Sequence, residues 1–124
     1  MNSINSLTLV EAPAINYRQK FVDRTHLKAL YESRGQADDI LIIKNGWVTD
    51  SYYCNVVFAR GEQLLTPSYP LLEGTKRALL LEKGQIKSYP ITASMIRQFD
   101  SIYLINAMIE LGACQVPITN ISGL

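Results

Sequence analysis

Four short stretches of the chain carry residue types that could do chemistry. The first is Gln19-Lys20-Phe21-Val22-Asp23-Arg24-Thr25-His26-Leu27, where Lys20 sits between an extended-looking segment and a helix start. A lysine amine becomes a nucleophile when its surroundings keep it available, and a strand-to-helix junction could hold it still. Taken alone, Lys20 reads as a solvated surface cation. In the second, Gly46-Trp47-Val48-Thr49-Asp50-Ser51-Tyr52-Tyr53-Cys54-Asn55, Asp50 interrupts an apolar and aromatic run, either as a placed carboxylate or as a turn former. The third is Leu71-Leu72-Glu73-Gly74-Thr75-Lys76-Arg77, a glycine at the entry to a helix. Exposed N–H groups and the macrodipole at such a start bind phosphate, and the Thr75 hydroxyl could add a donor; simple helix capping is the plainer reading. In the fourth, Ile105-Asn106-Ala107-Met108, an amide closes an apolar strand, as a ligand or as a satisfied strand end.

The elements that must position these residues alternate along the chain without repeat or low-complexity tract. Residues 6–11 read as a strand ended by Pro13. Asp23 is a cap candidate for a helix of about 11 residues with Leu27, Leu30 and Tyr31 on one face and Gly35 as its stop. Residues 39–43 form an apolar run too short for a helix, and Asn45-Gly46 is a strong hairpin turn into a strand at 47–49. A second hairpin joins 55–59 to 63–66 around Gly61. Pro67 and Pro70 force a loop, and Gly74 leads into a helix over 75–82 that Gly84 stops. A strand at 86–91, a short helix at 92–98, a buried strand at 102–106 and an edge strand at 116–121 follow, the last demoted by Pro117. Hairpins mixed with helices predict a mixed α/β or α+β domain.

Composition narrows the function classes. At 124 residues, with 48% of them apolar, the chain can build one domain with a real core, taken as residues 1–124. Its 12 basic and 11 acidic residues leave a net charge of +1, so no global field favours nucleic acid or an anionic membrane. No apolar run approaches the roughly 18 residues of a spanning helix, and the N-terminus lacks a signal-like pattern, which predicts a cytoplasmic protein. Cys54 and Cys114 lack metal or staple spacing, and with a single histidine no zinc site is expected.

Taken together, the order and spacing of the four stretches resemble the class IV aminotransferases. These are the fold-type IV pyridoxal-phosphate enzymes, which include branched-chain and D-amino-acid aminotransferases and aminodeoxychorismate lyase. The resemblance runs from about Ser6 to Pro117. It rests on Lys20-Phe21-Val22-Asp23-Arg24, on Val48-Thr49-Asp50 through Asn55, on Gly74-Thr75-Lys76-Arg77 and on Asn106-Ala107. It implies a barrel-like mixed β-sheet with surrounding helices, as in the large C-terminal domain of the D-amino-acid aminotransferase-like enzymes, and pyridoxal 5'-phosphate as cofactor. Lys20 would be the Schiff-base lysine and the proton carrier, and Asp50 the carboxylate beside the pyridine nitrogen. Gly74, Thr75 and Lys76 would cradle the phosphate, with Asn55, Asn106 and Ala107 completing the site. Departures are Asp50 where glutamate is usual, Thr75 and Lys76 where Ile and Thr are usual, and Thr25 where branched-chain enzymes carry tyrosine. The last of these tilts the expectation toward a lyase-like or divergent member, the lyase acting on 4-amino-4-deoxychorismate to give 4-aminobenzoate and pyruvate. Transamination of a small-molecule amino substrate and a noncatalytic remnant domain are the alternatives. The family's smaller N-terminal domain has no counterpart here, so a homodimer, or completion by an N-terminal domain or chain, is expected.

Overall fold

The computed structural model describes residues 4–12 and 24–124. In chain order the elements are β1 (Leu7–Glu11), α1 (Arg24–Glu32), β2 (Asp39–Lys44), β3 (Trp47–Val48), β4 (Asn55–Arg60), β5 (Gln63–Pro67), α2 (Thr75–Glu82), β6 (Lys87–Tyr89), a 3-10 helix (Ala93–Gln98), β7 (Ser101–Ile105), β8 (Gln115–Pro117), a 3-10 turn (Ile118–Asn120) and β9 (Ile121–Ser122). The expected cap at Asp23 lies outside the described residues.

The strands make two mixed sheets, ordered β3-β2-β1-β9 and β6-β5-β4-β7-β8. The mixed α/β class expected from the sequence is therefore present, with the strands in two sheets where one wrapped, barrel-like sheet was expected. The sheets meet along two seams. At one, Val48 N–H donates to Ile91 O and Ala93 N–H to Gly46 O, both at 2.9 Å, so the chain after β6 lies against β3. At the other, the stretch expected as one strand over 116–121 crosses between sheets. β8 pairs with β7, the 3-10 turn follows, and β9 pairs with β1. Pro117 has no N–H to extend the ladder with β7, which is why the chain leaves that edge there. Pro90 likewise shortens β6.

The continuous apolar run in β2 reflects burial on both faces. Leu41 and Ile43 point between the sheets, where they join Leu7, Val48, Val56, Phe58, Ile102, Leu104 and Val116. Ile40 and Ile42 point outward beneath α1, packed with Tyr52, Leu71, Leu30 and Tyr31. On the other sheet Val57 and Ile105 face outward under Leu80 of α2. The Asn45-Gly46 turn has both residues at positive φ, 53° and 83°, the geometry of a type I′ hairpin. Gly84, at φ 72°, ends α2 as its sequence position predicts.

Phe58 is fully buried and sits 5.1 Å, ring to ring, from Phe99. Phe58→Ala should cost about 3–5 kcal/mol, read as a lower midpoint in urea unfolding, whereas truncating the exposed Leu79 should move that midpoint little.

Candidate functional site

The segment after β3 is drawn inward by pairing with β2. Thr49 N–H and Oγ1 both donate to Ile42 O, at 3.0 and 2.7 Å, and Ile42 N–H donates to Asp50 O at 2.9 Å. This continuation of the sheet buries Asp50 completely. Its Oδ2 accepts the backbone N–H groups of Leu71 and Leu72 at 3.1 and 3.2 Å. A turn closed by Ser51 and Cys54 then delivers Asn55 to the start of β4. Asn55 Nδ2 donates to Leu72 O at 2.7 Å, and its Oδ1 accepts Gly74 N–H at 3.1 Å. Arg77, buried in the first turn of α2, donates from Nη2 to Pro67 O at 3.1 Å. Three buried polar side chains from three elements thus fix the loop 67–74.

That loop ends at the start of α2. Gly74 is the N-cap in an extended conformation and gives no side-chain cap bond. The simple capping reading is therefore not realised by a side chain. The N–H groups of Thr75, Lys76 and Arg77 have no acceptor within the helix. Together with residues 53–55 and 106–107, residues 72–75 line a cavity of about 340 Å³. Asn106, at the end of β7, accepts Met108 and Ile109 N–H on Oδ1 at 2.8 and 2.9 Å, and its Nδ2 points at Cys54 Sγ at 3.4 Å. Antiparallel pairing of β4 with β7 sets Asn55 opposite Ile105, which brings these two strand ends to the same cavity.

Of the residues singled out from the sequence, Asn55, Gly74, Thr75, Asn106 and Ala107 line this cavity. Asp50 lies beneath it, holding the loop without lining the wall. The Lys76 side chain turns to Glu110, with Nζ to Oε1 at 2.6 Å. Lys20 lies outside the described residues. The amides of Asn55 and Asn106 are largely engaged in fixing backbone, so among the described lining residues the N–H groups at the start of α2 and the hydroxyls of Thr75 and Tyr53 are donors a ligand would meet. Tyr53, Cys54 and Leu72 also line the cavity. All three fell within stretches already singled out, as did Glu73, which lines it too; Leu72 carried no chemical signal of its own and enters because the loop folds over. Burial pushes the Cys54 thiol up to about 11, so it stays neutral beside the cavity near pH 7. A larger adjoining cavity of about 620 Å³ shares Tyr53, Cys54 and Asn106 and reaches Asp39, the one charged side chain among its described lining residues.

Exposed N–H groups at a helix start are a general means of holding an anion, and comparison with known proteins places the chain in a family. Residues 8–121 match the family described as amino-transferase class IV. A Haemophilus influenzae protein of uncharacterized function is 45% identical over 94 residues, 76% of this chain and 50% of the relative. The crystal structure of a candidate 4-amino-4-deoxychorismate lyase from Haemophilus somnus superposes with a TM-score of 0.84 at 40% identity, over 90% of this chain and 57% of that one. A hypothetical aminotransferase from Mycobacterium tuberculosis, in its PLP-bound form, superposes at 0.73 with 19% identity over 98% of this chain and 49% of that one, a likeness of fold alone. The chain thus spans about half the length of the relatives it matches.

Two outcomes follow from the geometry. A Cβ added at Gly74 would sit 2.5 Å from Asn55 Oδ1, so Gly74→Ala must break that clamp. It should destabilise the fold by about 1–3 kcal/mol, and cost less in an Asn55→Ala background, as a double-mutant cycle would measure. The raised thiol of Cys54 has a second consequence. The unfolded chain loses this proton from about pH 9.0 and the folded chain only near 11, so stability is retained below pH 9.0 and falls as pH rises through that window. Cys54→Ser should flatten the fall in a series of denaturation curves.

Proposed function

The chain belongs to the class IV aminotransferase family, and from that premise we propose that its cavity takes pyridoxal 5'-phosphate and serves a lyase reaction. The reaction proposed removes pyruvate from 4-amino-4-deoxychorismate to leave 4-aminobenzoate. The observation that carries the reading is the uncapped start of α2 facing a cavity of about 340 Å³. The close approach of Gly74 to Asn55 keeps that wall free of a side chain, and the donor set suits a phosphate: backbone N–H groups and one hydroxyl at the positive end of a helix. The likeness to the Haemophilus somnus protein supports the choice of lyase.

When bound, pyridoxal phosphate supplies an electron-withdrawing ring that acidifies the proton on the amine-bearing carbon of the substrate. The protein's own residues do the rest. Backbone N–H groups of Thr75 and Lys76 hold the phosphate, with Thr75 Oγ1 as a further donor. The 106–107 turn, braced through Asn106 Oδ1, closes the opposite wall. Leu72 gives the ring an apolar surface, held by Asn55 and Asp50. Asp50, buried behind Leu71 and Leu72, would favour a protonated ring nitrogen if its carboxylate is within reach of it. Lys20 would hold the cofactor, and its amine would take the substrate proton and return it. The substrate cleft is proposed to be completed by a second copy of the chain or by an N-terminal domain. A noncatalytic domain that keeps the fold as an assembly partner is the reading the cofactor test below would leave standing.

A second reading, transamination between an amino acid and a 2-oxo acid, uses the same residues up to proton removal. It draws support from the family itself, which is described as amino-transferase class IV.

Pyridoxal phosphate added to the pure chain should give an imine absorption band that borohydride reduces and that Lys20→Ala abolishes. No reducible imine at saturating cofactor would leave a noncatalytic domain as the reading. Release of 4-aminobenzoate and amination of a 2-oxo acid, followed side by side, separate lyase from transaminase. Asp50 can be tested by pairing two variants. Asp50→Asn keeps an acceptor for the 71–72 backbone but removes the charge, so it should slow turnover about tenfold or more with cofactor still bound. Asp50→Ala releases the loop and should weaken cofactor binding as well.

A further inference from the structure

The two walls of the cofactor cavity are joined by an ion pair that lies outside it. Lys76 follows Thr75 in the first turn of α2, and Glu110 lies three residues beyond Ala107, in the loop between β7 and β8. Their Nζ and Oε1 atoms meet at 2.6 Å across 34 positions of sequence. The ion pair of Arg77 with Glu73, at 3.8 Å, spans only one helical turn.

The partners are unequal. The Lys76 side chain is 13% exposed and that of Glu110 is 77% exposed, so the lysine stem is packed in place and the glutamate reaches over to it. A cation in the first turn of a helix is opposed by the helix dipole, so Lys76 does not stabilise α2 through its own charge. The loop it meets is also held by the Asn106–Ile109 bridge, by Ala113 N–H donating to Glu110 O at 3.0 Å and by Ile109 and Leu111 packed on the cores, so the ion pair adds a link from the loop to α2. Met108 at its tip is 86% exposed, and the loop is braced at its base by the Asn106 turn. An ion pair at that position acts as a tether between two backbone segments that both line the cavity.

Resting on the proposed cofactor site, we propose that Lys76 and Glu110 form a clasp that sets the spacing between the start of α2 and the 106–107 turn, and through it the affinity for a phosphate-bearing ligand. Both side chains act by positioning, and neither side chain touches the phosphate. Because one partner is exposed, the effect expected is modest, about threefold to fivefold in affinity.

The test uses the full chain with Lys76→Met, Glu110→Gln, the double variant and Lys76→Arg, each checked by thermal unfolding. The ligands are pyridoxal phosphate, inorganic phosphate and pyridoxal, which lacks the phosphate. Either single variant should weaken both phosphate ligands about threefold to fivefold and leave pyridoxal unchanged. The double variant should be no worse than a single one, and arginine should restore binding. Without any ligand, amide hydrogen exchange over residues 107–112 should quicken in both single variants. Tighter phosphate binding by Glu110→Gln would overturn the clasp, because it would make Lys76 a direct ligand held back by Glu110. Unchanged affinity and unchanged exchange in both single variants would overturn it too. If the unaltered chain takes up none of the three ligands, the cofactor reading fails, and the ligand-free exchange still decides the clasp. Should Lys76→Met fail to fold, Glu110→Gln at an exposed position carries the same comparison.

Discussion

The candidate site depends on one constraint, the need to satisfy the backbone of a loop that is folded against the core. Leu71 is buried, so its N–H group cannot turn to water. Asp50 meets it and its neighbour with a single carboxylate oxygen. Losing that acceptor would strand two donors, at about 1–3 kcal/mol for each one left buried and unsatisfied. Asn55 fixes the next stretch by giving an N–H to Leu72 and accepting one from Gly74. Gly74 is required there because Asn55 occupies the space a side chain would need. The position of Leu72 and the direction of α2 follow from these bonds.

This arrangement divides the labour between side chains and backbone. The conspicuous polar side chains, Asp50, Asn55 and Asn106, hold loops in shape. The N–H groups at the start of α2 then share the cavity wall with side chains such as Tyr53, Leu72, Glu73 and Thr75. Such a site tolerates changes in residue type that would disable one built from side-chain ligands, because a helix start offers the same donors with Thr75 and Lys76 as with other residues. It also accounts for the position of the site at strand ends. Register between β4 and β7 brings 53–55 and 106–107 together, and the clamped loop brings up the third wall.

Much of the local structure was legible in the chain. Asn45-Gly46 announced a type I′ turn, Gly74 and Gly84 bracketed α2 at its observed ends, and the apolar run at 39–43 was a strand buried on both faces. The stretch at 116–121 was harder. Its pattern is that of one strand, but the choice between neighbouring sheets depends on partners distant in sequence. Asp50 was legible as a special position and not as a loop anchor, since Leu71 and Leu72 lie 21 and 22 residues away and carry no polar side chain. Lys76 and Glu110 gave no sign of each other for the same reason: nothing local encodes a contact 34 residues long.

The sequence by itself determined the kinds of elements, their turns and the family, because these rest on local stereochemistry and on the order of short motifs. Only the tertiary structure decided which side chains face the cavity and which are engaged beneath it, how the strands divide between two sheets, and that the two cavity walls are tied together. Those are matters of long-range pairing and burial, where a residue's role is set by what the rest of the chain brings against it.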